Sequence, residues 1–461
     1  MIGRQLHRAL LGIAALVLVA AGAVGVWTIW PHSTVTITLD PGQHFQTIRD
    51  WETTAEVFWT PDYEPFRQEI YERLVTQIGI SRVRLESFSG AENTDQSFEK
   101  FRSGQIDMQG WRDRRYTTVN DDADPFHINP AGFDWANLDW RIDNHLLPIL
   151  AAGKKHGEKI DISFCYVAFT KQIKSGVYIH TDPEEYAEFI LAAFLHMRDK
   201  YGIVPDYFEP LLEPDNIKEW TPHSFGVAIA AATRRLKAAG FAPKIVMPSV
   251  TNIHNAIPWL KEIEKVPGAM DLASEFSYHR YYGGEIKVLK SVHERAAERG
   301  LETAMLEYWG GKGTYDLLHN DLKYAQVSAW QGRTALTQHK IDLSRPKGDQ
   351  LVLSEDVRYT VQYTHYIRPG AVRIGAGSSA VDWADPLAFV NPDGGTVVEV
   401  KAEGAGPVAV RGLPEGDYKV SWAVASGSGA LPEAVHVGAD GVLQAKMPGK
   451  GVLTISPAAL P

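Results

Sequence analysis

Two glutamates stand where a carboxylate needs a task. Glu213 closes the run Tyr207-Phe208-Glu209-Pro210-Leu211-Leu212-Glu213-Pro214, where a proline that cannot donate to a sheet marks the end of a strand. Glu307 closes Met305-Leu306-Glu307 and is followed by Tyr308 and Trp309. Most of the 56 acidic residues belong on a solvated surface. A charge at the end of an apolar run is costly unless it has a partner or a function. Two carboxyl groups facing one another can cleave a glycosidic bond. One protonates the leaving oxygen, and the other attacks the sugar or activates water.

The elements between them must bring the two together. Apolar strands alternate with amphipathic helices: helix 63–78, strand 80–85, helix 140–157, strand 159–167, helix 183–201 and the strand that opens at Tyr207. Helix 225–240, strand 244–249, helix 257–265, strand 272–278, helix 286–300 and strand 301–308 come next. Repeated strand–helix units predict a parallel sheet. About eight units over roughly 300 residues is the size of a (β/α)₈ TIM barrel, which places its chemistry at the carboxyl ends of its strands. Counted from a first strand at Ala55–Phe58, Glu213 ends the fourth and Glu307 the seventh.

Beyond Ile367-Arg368-Pro369-Gly370 the pattern changes to short strands punctuated by turns such as Asn391-Pro392-Asp393-Gly394-Gly395. This is the signature of an antiparallel β-sandwich. The alternating segment Ser33–Asp40 has no partner in a barrel, so it is expected to cross over and join the sandwich. The organisation read from the sequence is therefore a leader at 1–31, a sandwich strand at 32–47, a barrel at 48–365 and a sandwich at 366–461.

The chain has 461 residues, 44% of them hydrophobic, and a formal net charge of −10 with no basic block. That supports a large core and excludes nucleic acid as the main partner. Arg4, His7 and Arg8 precede an almost wholly apolar run, Leu10 to Trp30. A helix of about 20 such residues spans a bilayer, and the basic flank predicts export of the remainder of the chain. Ala21-Gly22-Ala23 resembles a signal cleavage site, but the apolar run continues past it, which favours an uncleaved anchor over a removable signal peptide. Cys165 is the only cysteine and lies in an apolar run, as an inert buried thiol would. Between Ser87 and Ala136 about fifty residues lack convincing periodicity, which is uncommon in a compact domain without a function. On a barrel this loop would wall one side of the cleft. Asn120-Asp121-Asp122-Ala123-Asp124 within it has clustered oxygens but neither the spacing nor the glycine of a calcium hand, and reads as a solvated turn.

The run Phe208-Glu209-Pro210-Leu211-Leu212-Glu213-Pro214 resembles the F-E-x-L-N-E-P signature of clan A retaining glycoside hydrolases. Leu306-Glu307-Tyr308-Trp309 resembles the stretch that carries their nucleophile. Gln46-Thr47-Ile48 and Tyr366 to Ile374 are similar to glycoside hydrolase family 30, in which an amino-terminal strand joins a carboxyl-terminal sandwich. The resemblance implies that Glu213 is acid/base and Glu307 the nucleophile. It implies that Arg84 holds the nucleophile ionised, and that His279 and Tyr281 line the sugar site, a tyrosine there bonding the nucleophile. Tyr282 is a neighbouring candidate. A surface ion pair at Arg84 and a structural aromatic cluster around His279 and Tyr281 are the bland alternatives. Trp51, Trp309 and Trp330 are candidates to stack on sugar rings, Trp330 alternatively as a core residue of a helix.

One position departs from the pattern. The clan carries Asn before the acid/base, bonding the sugar 2-hydroxyl; this chain has Leu212. The expectation is a substrate modified at that carbon, or held there by another side chain. The chemistry expected is double displacement on an extracytoplasmic oligo- or polysaccharide, with the pKa of Glu213 raised in a covered cleft. No metal or organic cofactor is required, and His254, His279 and His293 show no ligand spacing on one element. Two rival readings stay open at this point: a carbohydrate-binding barrel that has lost its chemistry, and a transglycosylase.

Overall fold

The computed structural model describes residues 33–55 and 61–459. The expected leader at 1–31 lies outside the described residues, as does most of the expected first barrel strand at 55–58. Among the described residues no helix is long and apolar enough to cross a membrane.

Eight parallel strands close into a barrel. After β1 (Val35–Thr47) they are β2 (Asp50–Thr54), β3 (Arg82–Phe88), β4 (Asp161–Val167), β5 (Tyr207–Glu209), β6 (Lys244–Asn252), β7 (Ala273–Tyr282), β8 (Glu302–Glu307) and β9 (Val327–Trp330). The first barrel strand is thus Asp50–Thr54, not Ala55–Phe58. Trp330 sits on the eighth strand, not on a helix. Both strands are too short for periodicity to reveal. The helices expected at 183–201 and 286–300 are present as Pro183–Tyr201 and Ile286–Ala297. Those expected at 63–78 and 140–157 are broken, each passing through a wider turn, at Leu74–Ile78 and at Ile142–Leu146.

Alternation along the strands sorts their side chains. On β3, Val83 and Leu85 face the helices in the large apolar core, while Arg82 and Arg84 point into the barrel. On β2, Asp50 and Glu52 face Arg82 inside, so Trp51 between them is forced outward. It pairs in register with Trp330 of β9, which pairs in turn with Met305 of β8, and all three lie in the outer core.

The second module is a ten-stranded sheet. β1 joins it as expected, pairing antiparallel with Val372–Ser378 and parallel with Gly406–Arg411. Val35, Ile37 and Leu39 of β1 pack with Val398, Val410, Val420 and Leu453 in a core of the sheet's own. The opposite face meets the barrel: Leu387, Phe389, Val397 and Val452 share the large core with Tyr363 and Ile367. β1 therefore ties the start of the barrel to the far module.

Trp51 is 1% exposed and its indole nitrogen donates to the Ile367 carbonyl at 2.6 Å. Trp51→Ala is expected to cost roughly 3–5 kcal/mol of stability, read by chemical denaturation.

Candidate active site

The site is built at the carboxyl ends of β3, β5, β7 and β8. Arg84 is fully buried. Its guanidinium donates to Glu307 Oε2 and, at 3.2 Å, to Glu86 Oε1, and lies 3.8 Å from Glu209 Oε2. Tyr281 donates its hydroxyl to the other oxygen of Glu307 at 2.8 Å. Both oxygens of Glu307 are thereby held. Trp309 closes this side, half-buried, with the Arg84 guanidinium 5.3 Å from its ring centre.

Glu307 reaches this position through a slip in register. Ser277 and Tyr278 of β7 pair with Ala304 and Met305, but His279 pairs with Glu307, so Leu306 is passed over. Strict alternation would place Glu307 on the helix side with Met305. The bulge turns it into the barrel mouth beside His279.

Glu213 lies beyond β5, which ends at Glu209, and not on the strand itself. Its backbone is left-handed (φ 52°), which a non-glycine side chain adopts only when its surroundings hold it there. Two contacts do so. The Glu213 N–H donates to the Ser249 carbonyl at 3.2 Å. Two residues on, Asp215 accepts from the N–H groups of Thr251 and Asn252 at 2.7 and 3.2 Å and from the Asn255 amide at 2.8 Å. The short turn Pro214–Asn216 is thus pinned to the end of β6 and the residues just after it, and Glu213 with it.

His279 joins the two halves. It is fully buried on β7, and its Nδ1 donates to Glu213 Oε1 at 3.0 Å. One oxygen from each of Glu213 and Glu307 and one His279 ring nitrogen lie within 4.8 Å of one another. Such a trio could also offer donors to a cation. Here the buried Arg84 already supplies positive charge to Glu307, and His279 gives its Nδ1 to Glu213, so the arrangement suits organic acid–base chemistry.

The protonation pattern corrects one expectation. Burial pushes the Glu213 carboxyl up, but the bond and charge of His279, with Asn216 at 3.5 Å, outweigh it and leave Glu213 below its ordinary value. His279 is correspondingly raised: burial lowers it, and the neighbouring carboxylates more than compensate, the bonded Glu213 foremost. Glu307 is raised because its burial exceeds the help it receives from Arg84 and His279. The proton shared by Glu213 and His279 rests on the imidazole.

Of the residues expected here, Glu213, Glu307, Arg84, His279, Tyr281 and Trp309 come together. Trp51 and Trp330 do not, because their strands turn them outward. Trp330 instead donates its indole N–H to the buried Asp321 at 3.1 Å, which also accepts from Tyr278 at 2.9 Å. Tyr282 is 64% exposed, beyond the contact that Tyr281 makes. The turn at 120–124 is held by its own side chains, Asp122 accepting from the Asp124 N–H at 2.8 Å and from His127 at 2.6 Å. Cys165 is buried, its thiol pushed up by burial. The sequence reading missed Glu86, Glu209 and Asp215. The alternation Arg82-Val83-Arg84-Leu85-Glu86 held a signal for the first: three charges on one face of an apolar strand.

No protein-family model and no curated protein sequence matches the chain. Solved structures do. The catalytic domain of the family 30 xylanase C from Talaromyces cellulolyticus superposes with a TM-score of 0.62 at 14% identity, over 92% of this chain and 100% of that one. A family 30 endoxylanase from Clostridium papyrosolvens gives 0.61 at 15%, over 93% and 100%. An endo-β1,6-glucanase gives 0.61 at 16%, over 92% and 94%. These likenesses establish the fold, barrel and sheet together.

Imidazole NMR of His279 is expected to show a midpoint above 6.5, its ordinary value. Removing the partner charge with Glu213→Gln leaves burial less opposed, so the midpoint should move down; an unmoved midpoint would contradict the pairing.

Proposed function

We propose that the chain is a retaining glycoside hydrolase that cleaves a polysaccharide or oligosaccharide by double displacement. The observation that carries this reading is the approach of Glu213 and Glu307 to within 4.8 Å at their nearest oxygens, on one barrel mouth. Retaining enzymes hold their carboxyl groups about 5–5.5 Å apart and inverting ones about 6.5–9.5 Å, the wider gap admitting a water. The narrow gap supports direct attack. The structural neighbours named as xylanases and a glucanase support a polysaccharide as substrate.

In this mechanism Glu307, fixed through both oxygens by Arg84 and Tyr281, attacks the anomeric carbon. The glycosidic oxygen leaves with a proton from Glu213. That proton is available 3.0 Å away on His279 Nδ1, so transfer along one hydrogen bond arms Glu213 without drawing a proton from solvent. Glu213 then takes a proton from water, and the resulting hydroxide oxygen releases the sugar from Glu307. The basic residues and apolar run at the amino terminus support action outside the cytoplasm, on an anchored or a secreted form.

Glu307→Gln should lower kcat roughly 10⁴-fold or more while oligosaccharide affinity persists. A surface-binding barrel would have no turnover to lose. Proton NMR of the first product should show the anomeric configuration of the substrate; inversion would sink the two-step scheme.

The pH profile is set by these protonation preferences. Activity falls on the acid side as Glu307 protonates, at a limb above the ordinary 4.5. It falls on the alkaline side as the proton shared by Glu213 and His279 departs, at a limb above 6.5. A kcat/KM profile with its alkaline limb below 6.5 would contradict this assignment.

A further inference from the structure

Leu212 stands directly before Glu213 and is 3% exposed. Its side chain belongs to a compact cluster with Phe88, Phe98, Trp111, Tyr116, Cys165 and Val167. Four of these seven residues, Phe88, Phe98, Trp111 and Tyr116, come from the end of β3 and the long insert after it. Their rings interlock, Phe88 with Tyr116 at 5.2 Å, Phe98 with Trp111 at 5.5 Å, and Phe101 stacked on Trp111 at 5.2 Å. The Arg115 guanidinium lies about equally over three of them, 4.8 to 5.3 Å from the ring centres of Tyr116, Phe88 and Trp111. The backbone is tied to the same body: the Leu212 N–H donates to the Tyr166 carbonyl at 2.9 Å. The Tyr166 hydroxyl meets His180 Nδ1 at 2.5 Å, and His180 Nε2 meets Glu92 of the insert at 2.6 Å.

The cluster reaches the second carboxylate as well. Arg141 lies 4.3 Å from the Phe88 ring centre and donates to the Glu86 carbonyl at 2.8 Å, and Glu86 accepts from Arg84. We infer that Leu212 is a positioning residue that seats Glu213 on the aromatic cluster of the 87–136 insert, so that the insert sets the acid/base carboxylate against His279. The apolar side chain at this position is then a structural requirement of the insert: an amide there would bury polar atoms among aromatic rings, at a cost. The inference rests on the proposed acid/base role only for its kinetic consequence; the placement of Glu213 against His279 is independent of it.

The test uses the His279 imidazole titration in the full chain, with circular dichroism and thermal melting as controls for folding. Leu212→Asn and Trp111→Leu should each lower the His279 midpoint by about one pH unit, the usual spread of environmental effects, whereas the volume-conserving Leu212→Met should not. On a cleaved glycan, kcat should fall roughly 100-fold in Leu212→Asn, the effect of an approximately 1 Å misplacement, with KM little changed. A folded Leu212→Asn with the wild-type midpoint overturns the inference. If Leu212→Asn does not fold, Trp111→Leu decides: it lies in the aromatic cluster, while the bonds to the two carboxylates come from His279, Asn216, Arg84 and Tyr281, so a lowered midpoint supports the coupling and an unchanged one refutes it. If the wild-type chain cleaves no glycan while the midpoints shift as stated, the proposed activity fails and the positioning role stands.

Discussion

A guanidinium removed entirely from water dictates the arrangement of this barrel. Arg84 is held inside by Glu86, Glu209 and Glu307, and each of those carboxylates is itself buried. Taking such charges out of water is expensive, and attraction offsets the expense only where the geometry is good on all sides. The barrel therefore cannot be filled in the usual way by layers of branched apolar side chains. One turn of the pleat lower, Arg82 repeats the motif with Asp50, Glu52 and Glu275 at 3.7, 2.5 and 2.8 Å. The interior is a stack of two arginines, each ringed by carboxylates, with Tyr207, Val246, Ala304, Leu306 and Ala329 as its apolar packing. In the lower ring, burial exceeds what Arg82 returns, and Asp50 and Glu52 are pushed up to about 7. In the upper ring, burial likewise raises Glu307, opposed by Arg84 and His279.

That stack also explains what could be read from the sequence. The repeat of strands and helices, the change to short strands after Ile367 and the crossing of β1 all follow from hydrophobic period and turn residues, and all are present. The two glutamates were legible because each ends an apolar run. Trp51 and Trp330 were not, because which face a strand residue takes depends on knowing where the strand lies. Once β2 is Asp50–Thr54, the charges at 50 and 52 claim the inside and Trp51 must go out. A first strand set at 55–58 hides that alternation. β9 escaped notice for a related reason: Val-Ser-Ala-Trp is too short to carry a period.

Glu307 shows a deeper limit. Its parity with Met305 assigns it to the helix side, and only the passed-over Leu306 returns it to the mouth. Nothing in the local sequence announces that slip. It follows from tertiary demands, since Arg84 requires a carboxylate at that height and Tyr281 presents a hydroxyl beside it. The left-handed turn at Glu213 is the same kind of feature, imposed by the end of β6 through Asp215. Both carboxylates thus occupy positions that local preference disfavours. A site assembled this way is rigid because several unrelated elements must all yield before either glutamate can move.

The placement of the shared proton follows from the same constraint. Two ionised carboxylates within 4.8 Å repel, and the fixed charge of Arg84 is directed to Glu307, not Glu213. A protonated His279 between them supplies the missing positive charge and lowers the energy of the pair. The proton is therefore better placed on nitrogen than on Glu213, although the proposed role of general acid needs it on oxygen. The two requirements are compatible because they differ only by the position of one proton along one hydrogen bond. In the proposed reaction, a glycosidic oxygen that gains negative charge as its bond breaks favours the protonated carboxyl, and the imidazole returned to neutrality is the form its burial prefers. On the proposed function, the site rests as an ion pair and reacts as a neutral acid with its total charge unchanged.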